Sequence, residues 1–276
     1  MTHHDTDVDP RALAAEAAQA IAYATGVAKH DIALVLGSGW GGAAELLGDV
    51  VAEVPAEDIP GFRKAAVVGH GGTITSIKIA GTDAHALVLG ARTHYYEGHG
   101  VRAVAHGVRT AAAAGCTSLV LTNGCGGLRA EWGPGTPVLI SDHINLTMDS
   151  PLEGATFVDL TDVYSPRLRD LARTIDSTLD EGVYVQFRGP HYETPAEVQM
   201  AKIIGGDLVG MSTALEAIAA REARLEILGI SLVTNPAAGI SPTPLSHTEV
   251  LEAGRAAGPR IAKLLADIVT TMAKEN

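Results

Sequence analysis

Short apolar runs alternate with amphipathic helical patterns over almost the whole chain. Runs at 32–36, 73–79, 86–89, 118–121, 137–140, 183–187 and 226–233 have the length of strands, and a shorter one lies at Leu208-Val209. Helical patterns occupy 101–114 and 213–223, and four more helices carry explicit start signals. Asp9-Pro10 opens one to about residue 28, Ser165-Pro166 one to about residue 177, and Thr194-Pro195 a third. Ser246-His247-Thr248-Glu249 is a capping box before a final helix reaching about residue 273. This alternation predicts one α/β domain over residues 1–276 with a mostly parallel sheet. No repeat, low-complexity stretch or linker interrupts it.

In open α/β sheets, ligands gather beyond the carboxyl ends of the strands. Ser38, Arg92 with His94, Asn123 and Asn235 each follow one of the strand-like runs. They are far apart in sequence, but the fold brings strand ends together. The pattern therefore predicts a single polar site.

Composition narrows the class. Of 276 residues, 46% are hydrophobic, 19% charged and 4% aromatic, which suits tight helix-on-sheet packing by small aliphatic side chains. The net charge of −12 argues against a nucleic-acid or membrane surface. An anionic small ligand would need local Arg, His or backbone N–H groups. Two cysteines, Cys116 and Cys125, make no disulfide framework. No apolar run reaches about 18 residues and no secretory leader opens the chain, so a soluble cytoplasmic protein is expected. His3-His4 is too short for a metal tract and no spacing resembles a zinc site, so no metal is expected.

The segment Gly189-Pro190-His191-Tyr192-Glu193-Thr194-Pro195-Ala196-Glu197 sets a ring and a carboxylate directly before a helix. Thr194 suits the N-cap, Pro195 the first helical position, and Glu197 completes a capping box. A flat face beside an acceptor is what a purine base needs, although the segment alone fits any well-capped surface helix. Gly37-Ser38-Gly39-Trp40-Gly41-Gly42 lies between a strand and an expected helix, where its N–H groups can face an oxyanion. It also fits the dinucleotide pattern GxGxxG, which needs an acid about 20 positions on at the end of a second strand. Glu53 is near that spacing, but its surroundings do not read as a buried strand. A tight turn without ligand is the third reading.

Arg92-Thr93-His94-Tyr95-Tyr96-Glu97-Gly98-His99 follows an apolar run at once. Arg92 offers a fork of donors for phosphate oxygens and His94 one more; a solvated polar loop is the plainer alternative. Gly69-His70-Gly71-Gly72 reads as a turn. Thr122-Asn123-Gly124-Cys125-Gly126-Gly127 is a second glycine loop at a strand end. Val209-Gly210-Met211-Ser212-Thr213 places a hydroxyl at a helix start, where simple capping is an equal reading. Thr234-Asn235 ends a strand, and His247 lies just inside the last helix.

Taken in order, the strings GSGWGG, GHGG, RTHYYEG, TNGCGGL, SDHINLT, GPHYETPAE, VGMST, SLVTN and SHTEV resemble the trimeric branch of the purine nucleoside phosphorylase family, in its actinobacterial-like form. The match spans residues 37–250 and decides against the dinucleotide reading. It implies that family's fold, a twisted mixed, mostly parallel central sheet flanked by helices. The resemblance implies a phosphate pocket from Ser38, His70, Arg92, His94, the Gly124 backbone and Ser212. It implies purine contacts from Tyr192, Glu193 and Asn235, and ribose contacts from Tyr96, Met211 and His247. Glu193, Asn235 and His94 would carry the catalysis. A homotrimer is implied, with Phe157 of a neighbouring subunit closing each ribose site.

The implied reaction is reversible phosphorolysis of 6-oxopurine nucleosides in purine salvage, with inorganic phosphate as co-substrate and no cofactor. Glu193 would accept from N1–H of inosine or guanosine, and Asn235 would serve N7 of the leaving base. Adenine lacks that proton, so adenosine is expected to be a poor substrate. Family members acting on 6-aminopurines carry aspartate on the Asn235 side. Three short stretches depart from the animal enzymes. Pro236 stands in place of lysine and restricts Asn235 to extended backbone. Ala214-Leu215 replaces Val-Pro, and Gly124-Cys125 replaces Ala-Ala. Cys125 is expected to confer sensitivity to thiol reagents.

Overall fold

The computed structural model describes residues 8–63, 72–241 and 247–275. In chain order the elements begin with α1 (Pro10–Thr25), β1 (Ile32–Val35), α2 (Ala44–Leu47), β2 (Gly48–Pro55), β3 (Thr73–Ile79) and β4 (His85–Leu89). There follow α3 (Gly100–Ala113), β5 (Ser118–Gly127), β6 (Pro137–Asn145), α4 (Pro166–Ile175) and β7 (Asp180–Gln186). The chain closes with α5 (Pro195–Ile203), β8 (Leu208–Gly210), α6 (Ala214–Glu222), β9 (Glu226–Pro236) and α7 (His247–Glu275).

The start signals act as the sequence predicts. Asp9 accepts from Arg11 N, Ser165 Oγ from Leu168 N and Thr194 Oγ1 from Glu197 N, each with proline behind it. Two helices stop before their expected ends for local reasons. Gly26 turns left-handed at φ 73° and ends α1. Asp176 Oδ1 accepts from Thr178 N and Oγ1, which draws the chain away from α4. Ser246, the cap expected for α7, lies outside the described residues.

The sheet runs β2-β3-β4-β1-β5-β8-β7-β6-β9, and β9 pairs again with β5. Five of its strands therefore form a closed ring, and the other four extend from it as an open, twisted wing. Five pairings are parallel and four antiparallel. The sheet is mixed, with a narrower parallel majority than the alternating pattern suggests. Burial on both faces makes β1 apolar throughout. Ala33 and Val35 pack under α1, α3 and α6 with Ile21, Val108 and Ala217. Ile32 and Leu34 pack on the opposite side with Leu168 of α4 and Ile261, Leu265 and Ile268 of α7.

Three features were not legible as strands or helices. β2 is an edge strand with mostly exposed side chains, so no apolar run marks it. β5 and β6 continue well past their apolar runs. The glycines of β5 keep pairing with β9 through a register shift after Cys125. The first glycine loop leads into a single 3₁₀ turn, Gly41–Ala43, and the four-residue α2, where a full helix was expected. Without a long helix there, and with Glu53 on an antiparallel edge, the loop lacks the frame of a dinucleotide site. No helix among the described residues is long and apolar enough to cross a membrane.

Candidate active site

One cleft opens where the carboxyl ends of β1, β4, β5 and β9 meet the turn before α5 and the start of α6. Its empty space, counted together with the part open to solvent, is about 770 Å³. Ser38, Arg92, His94, Tyr96 and Gly124 line it, and so do Tyr192, Glu193, Met211, Ser212 and Asn235. Residues from six separate segments are thus brought together. His70 and the His247 side chain lie outside the described residues, and His247 is the first residue of α7. Phe157 is 95% exposed and does not line the cleft of its own chain.

The glycine loops fit because they lie very close together. A Cβ on Gly37 would fall 2.6 Å from Thr122 O, and Gly37 N donates to Thr122 Oγ1 at 2.9 Å. Trp40, fully buried, donates its indole N–H to Asn123 O at 3.0 Å. Its ring holds the first loop against the second. A Cβ on Gly124 would sit 3.2 Å from Thr234 and 3.8 Å from Ser38.

Arg92 enters from beyond β4 and is almost wholly buried. Its Nε donates to Glu216 Oε1 at 3.0 Å and its Nη1 to Thr122 O at 2.7 Å. Nη2 has no partner among the described residues. His94 is held by Glu97, whose Oε1 accepts its backbone N–H at 2.6 Å and lies 3.2 Å from Nδ1. Its ring stacks on Tyr96, with centroids 4.8 Å apart and planes 14° from parallel. The Tyr96 phenol is shifted to higher pKa, first by burial and then by Glu97.

The turn before α5 presents a 37% exposed Tyr192 ring and a buried Glu193. The capping box fixes this turn: Thr194 Oγ1 accepts Glu197 N at 3.2 Å, and Glu197 Oε2 accepts Thr194 N at 2.7 Å. Gly189, at φ 69°, passes so close to Met211 that a Cβ would lie 2.5 Å from its sulfur. Glu193 Oε1 is buried without a partner among the described residues. Burial drives the Glu193 pKa up, because desolvation penalises the carboxylate. Asn235 extends from β9, consistent with the restriction Pro236 imposes. Its Nδ2 donates to Thr234 Oγ1 at 3.1 Å, which in turn donates to Cys125 O at 3.1 Å.

Some participants were not singled out. Thr234 lines the cleft beside Asn123, whose place at a strand end was expected. Thr213 and Glu216 stand directly behind it, and their capping-box spacing, Thr213-x-x-Glu216, was the available signal. The expectation for Cys125 is corrected. It belongs to the cleft wall, but its thiol is buried, donates to Leu232 O at 3.5 Å, and is pushed by burial to a pKa of about 12. A protonated, enclosed thiol is a poor nucleophile.

Residues 31–270 match the model of the phosphorylase superfamily. A purine nucleoside phosphorylase from Cellulomonas is 72% identical over 267 residues, 96% of this chain and 95% of that protein. One from Mycobacterium tuberculosis is 56% identical over 266 residues, 96% of this chain and 98% of that protein. The solved Schistosoma mansoni purine nucleoside phosphorylase in complex with inosine superposes with a TM-score of 0.85 at 30% identity, covering 94% of this chain and 96% of that one. Its complex with adenosine gives 0.83 at 29%, covering 93% and 96%. The chain belongs to the phosphorylase superfamily and, within it, to the purine nucleoside phosphorylases.

Proposed function

We propose that this protein catalyses the reversible phosphorolysis of 6-oxopurine ribo- and deoxyribonucleosides in purine salvage. The products are the free base and (deoxy)ribose 1-phosphate. The observation that carries the specificity is Glu193. A buried carboxylate oxygen without a donor among the described residues, in the same cleft as Asn235, is an acceptor suited to a ligand N–H. The N1–H of hypoxanthine or guanine is such a donor, and adenine has none.

Phosphate lies against Ser38, Arg92, His94, the Gly124 backbone and Ser212, with His70 completing the set. The ribose lies between Tyr96, Met211 and His247, under Phe157 of a neighbouring subunit in a homotrimer. Phosphate attacks the anomeric carbon as the N-glycosidic bond breaks, so the sugar passes through an oxocarbenium-like state and the purine leaves with negative charge. Asn235 donates to N7, a bond that strengthens as negative charge develops on the base, while Glu193 accepts N1–H and orients the purine. Donors of this kind contribute roughly 3–4 kcal/mol at best. Phosphate is a co-substrate, and no metal or organic cofactor enters the scheme.

The test is conversion of inosine to hypoxanthine with and without phosphate, beside adenosine. Inosine cleavage that requires phosphate, with adenosine at least about 100-fold slower, is the expected result. Equal cleavage of adenosine would overturn the Glu193–Asn235 argument while leaving the reaction class. The comparison is pointed because the Schistosoma enzyme has been solved with either nucleoside.

A further inference from the structure

We propose that Glu216 is a positioning residue for phosphate, acting through Arg92 and Thr213. The inference rests on the assignment of phosphate to the Arg92–Ser212 part of the cleft. Glu216 itself does not line the cleft. Its carboxylate and the Arg92 guanidinium are 4% and 2% exposed, with Nε and Oε1 3.0 Å apart. The second oxygen, Oε2, accepts the Thr213 N–H at 2.8 Å.

Thr213 is held at φ 84°, a conformation a β-branched residue adopts only under constraint. Its hydroxyl accepts from Asn123 Nδ2 at 2.9 Å and lies 3.2 Å from Ser212 Oγ. One carboxylate therefore joins three segments of the cleft: the loop after β4, the glycine loop of β5 and the start of α6. With Nε given to Glu216 and Nη1 to Thr122 O, the orientation of the Arg92 fork is set before any ligand arrives, and Nη2 is left for an anion.

This role and a purely electrostatic one predict opposite effects. If Glu216 only diminished the positive field at Arg92, removing its charge would strengthen phosphate binding. If it positions the donors, removal weakens binding.

The experiment measures the KM for phosphate at saturating inosine in Glu216→Gln and Glu216→Asp. Glutamine retains one acceptor and loses the charge, while aspartate keeps the charge but is one methylene too short to hold both donors. We expect each to raise the phosphate KM about tenfold or more. The inosine KM and hypoxanthine affinity should stay within about twofold. In an Arg92→Ala background, Glu216→Gln should add little, since its effect passes largely through the missing guanidinium. An unchanged or lowered phosphate KM, or full recovery by aspartate, overturns the proposal. Wild-type protein that does not phosphorolyse inosine at all would instead overturn the functional reading on which it rests.

Discussion

A buried carboxylate with one oxygen that no described residue donates to is held at a cost, and Glu193 is such a group. Its pKa is raised by burial, so the folded state binds the proton more readily than the unfolded chain. Below the ordinary carboxylate range the group is neutral in both states and costs nothing. As pH rises through the raised value it ionises, and stability is lost. Glu193→Gln should therefore raise Tm at neutral pH, by roughly 2–4 °C for each kcal/mol recovered. The advantage should fade as pH falls toward about 4. The same change should cut inosine turnover about 100-fold or more. A variant no more stable than wild type at pH 7.5 in thermal melts would refute the cost. Asn235→Asp should lower kcat/KM for inosine and raise the ratio of adenosine to inosine cleavage. Cys125, with its thiol pushed to about 12, should survive iodoacetamide at pH 8 in the folded protein, as intact-mass measurement would show. At this scale the sequence displayed the polar residues that follow strands, but not which neighbours hold them. Glu216 reads as a surface charge on a helix until Arg92 arrives from far along the chain.

Elements set the precision of the site. The turn bearing Tyr192 and Glu193 has its geometry from the Thr194 cap of α5. Thr194→Ala should cost about 1 kcal/mol, visible as a Tm decrease of roughly 2–4 °C. It should also raise the KM for inosine while leaving that for phosphate within about twofold. Equal effects on both substrates would show that the cap serves stability alone. Elements with a chemical start signal or an apolar run were legible, and the caps of α1, α4 and α5 sit at the residues that announced them. Elements defined by their partners were not. β2 has its strand character from pairing with β3, and the glycine half of β5 from pairing with β9. Such information lies in residues distant in sequence, which periodicity does not sample.

For the whole molecule, the proposed homotrimer gives the 95% exposed Phe157 a place. Sedimentation should report three times the chain mass, and Phe157→Ala should raise the inosine KM without dissociating the assembly. A fully active monomer would dispose of both claims. The α/β class was legible because strand-like and helix-like runs alternate; the closure of five strands was not, since nothing local encodes it. That closure has a kinetic consequence. The ring exists only once β9 lies beside β5, and their register joins Ser118 to Glu226. A contact between such distant positions must overcome a large loop-closure entropy before it yields any stabilisation. During synthesis, the chain up to α6 has every described residue that lines the cleft except those of β9 and the turn after it, yet no closed frame to hold them. Folding should wait for the last fifth of the chain, and a fragment ending at residue 224 should remain an open, aggregation-prone sheet.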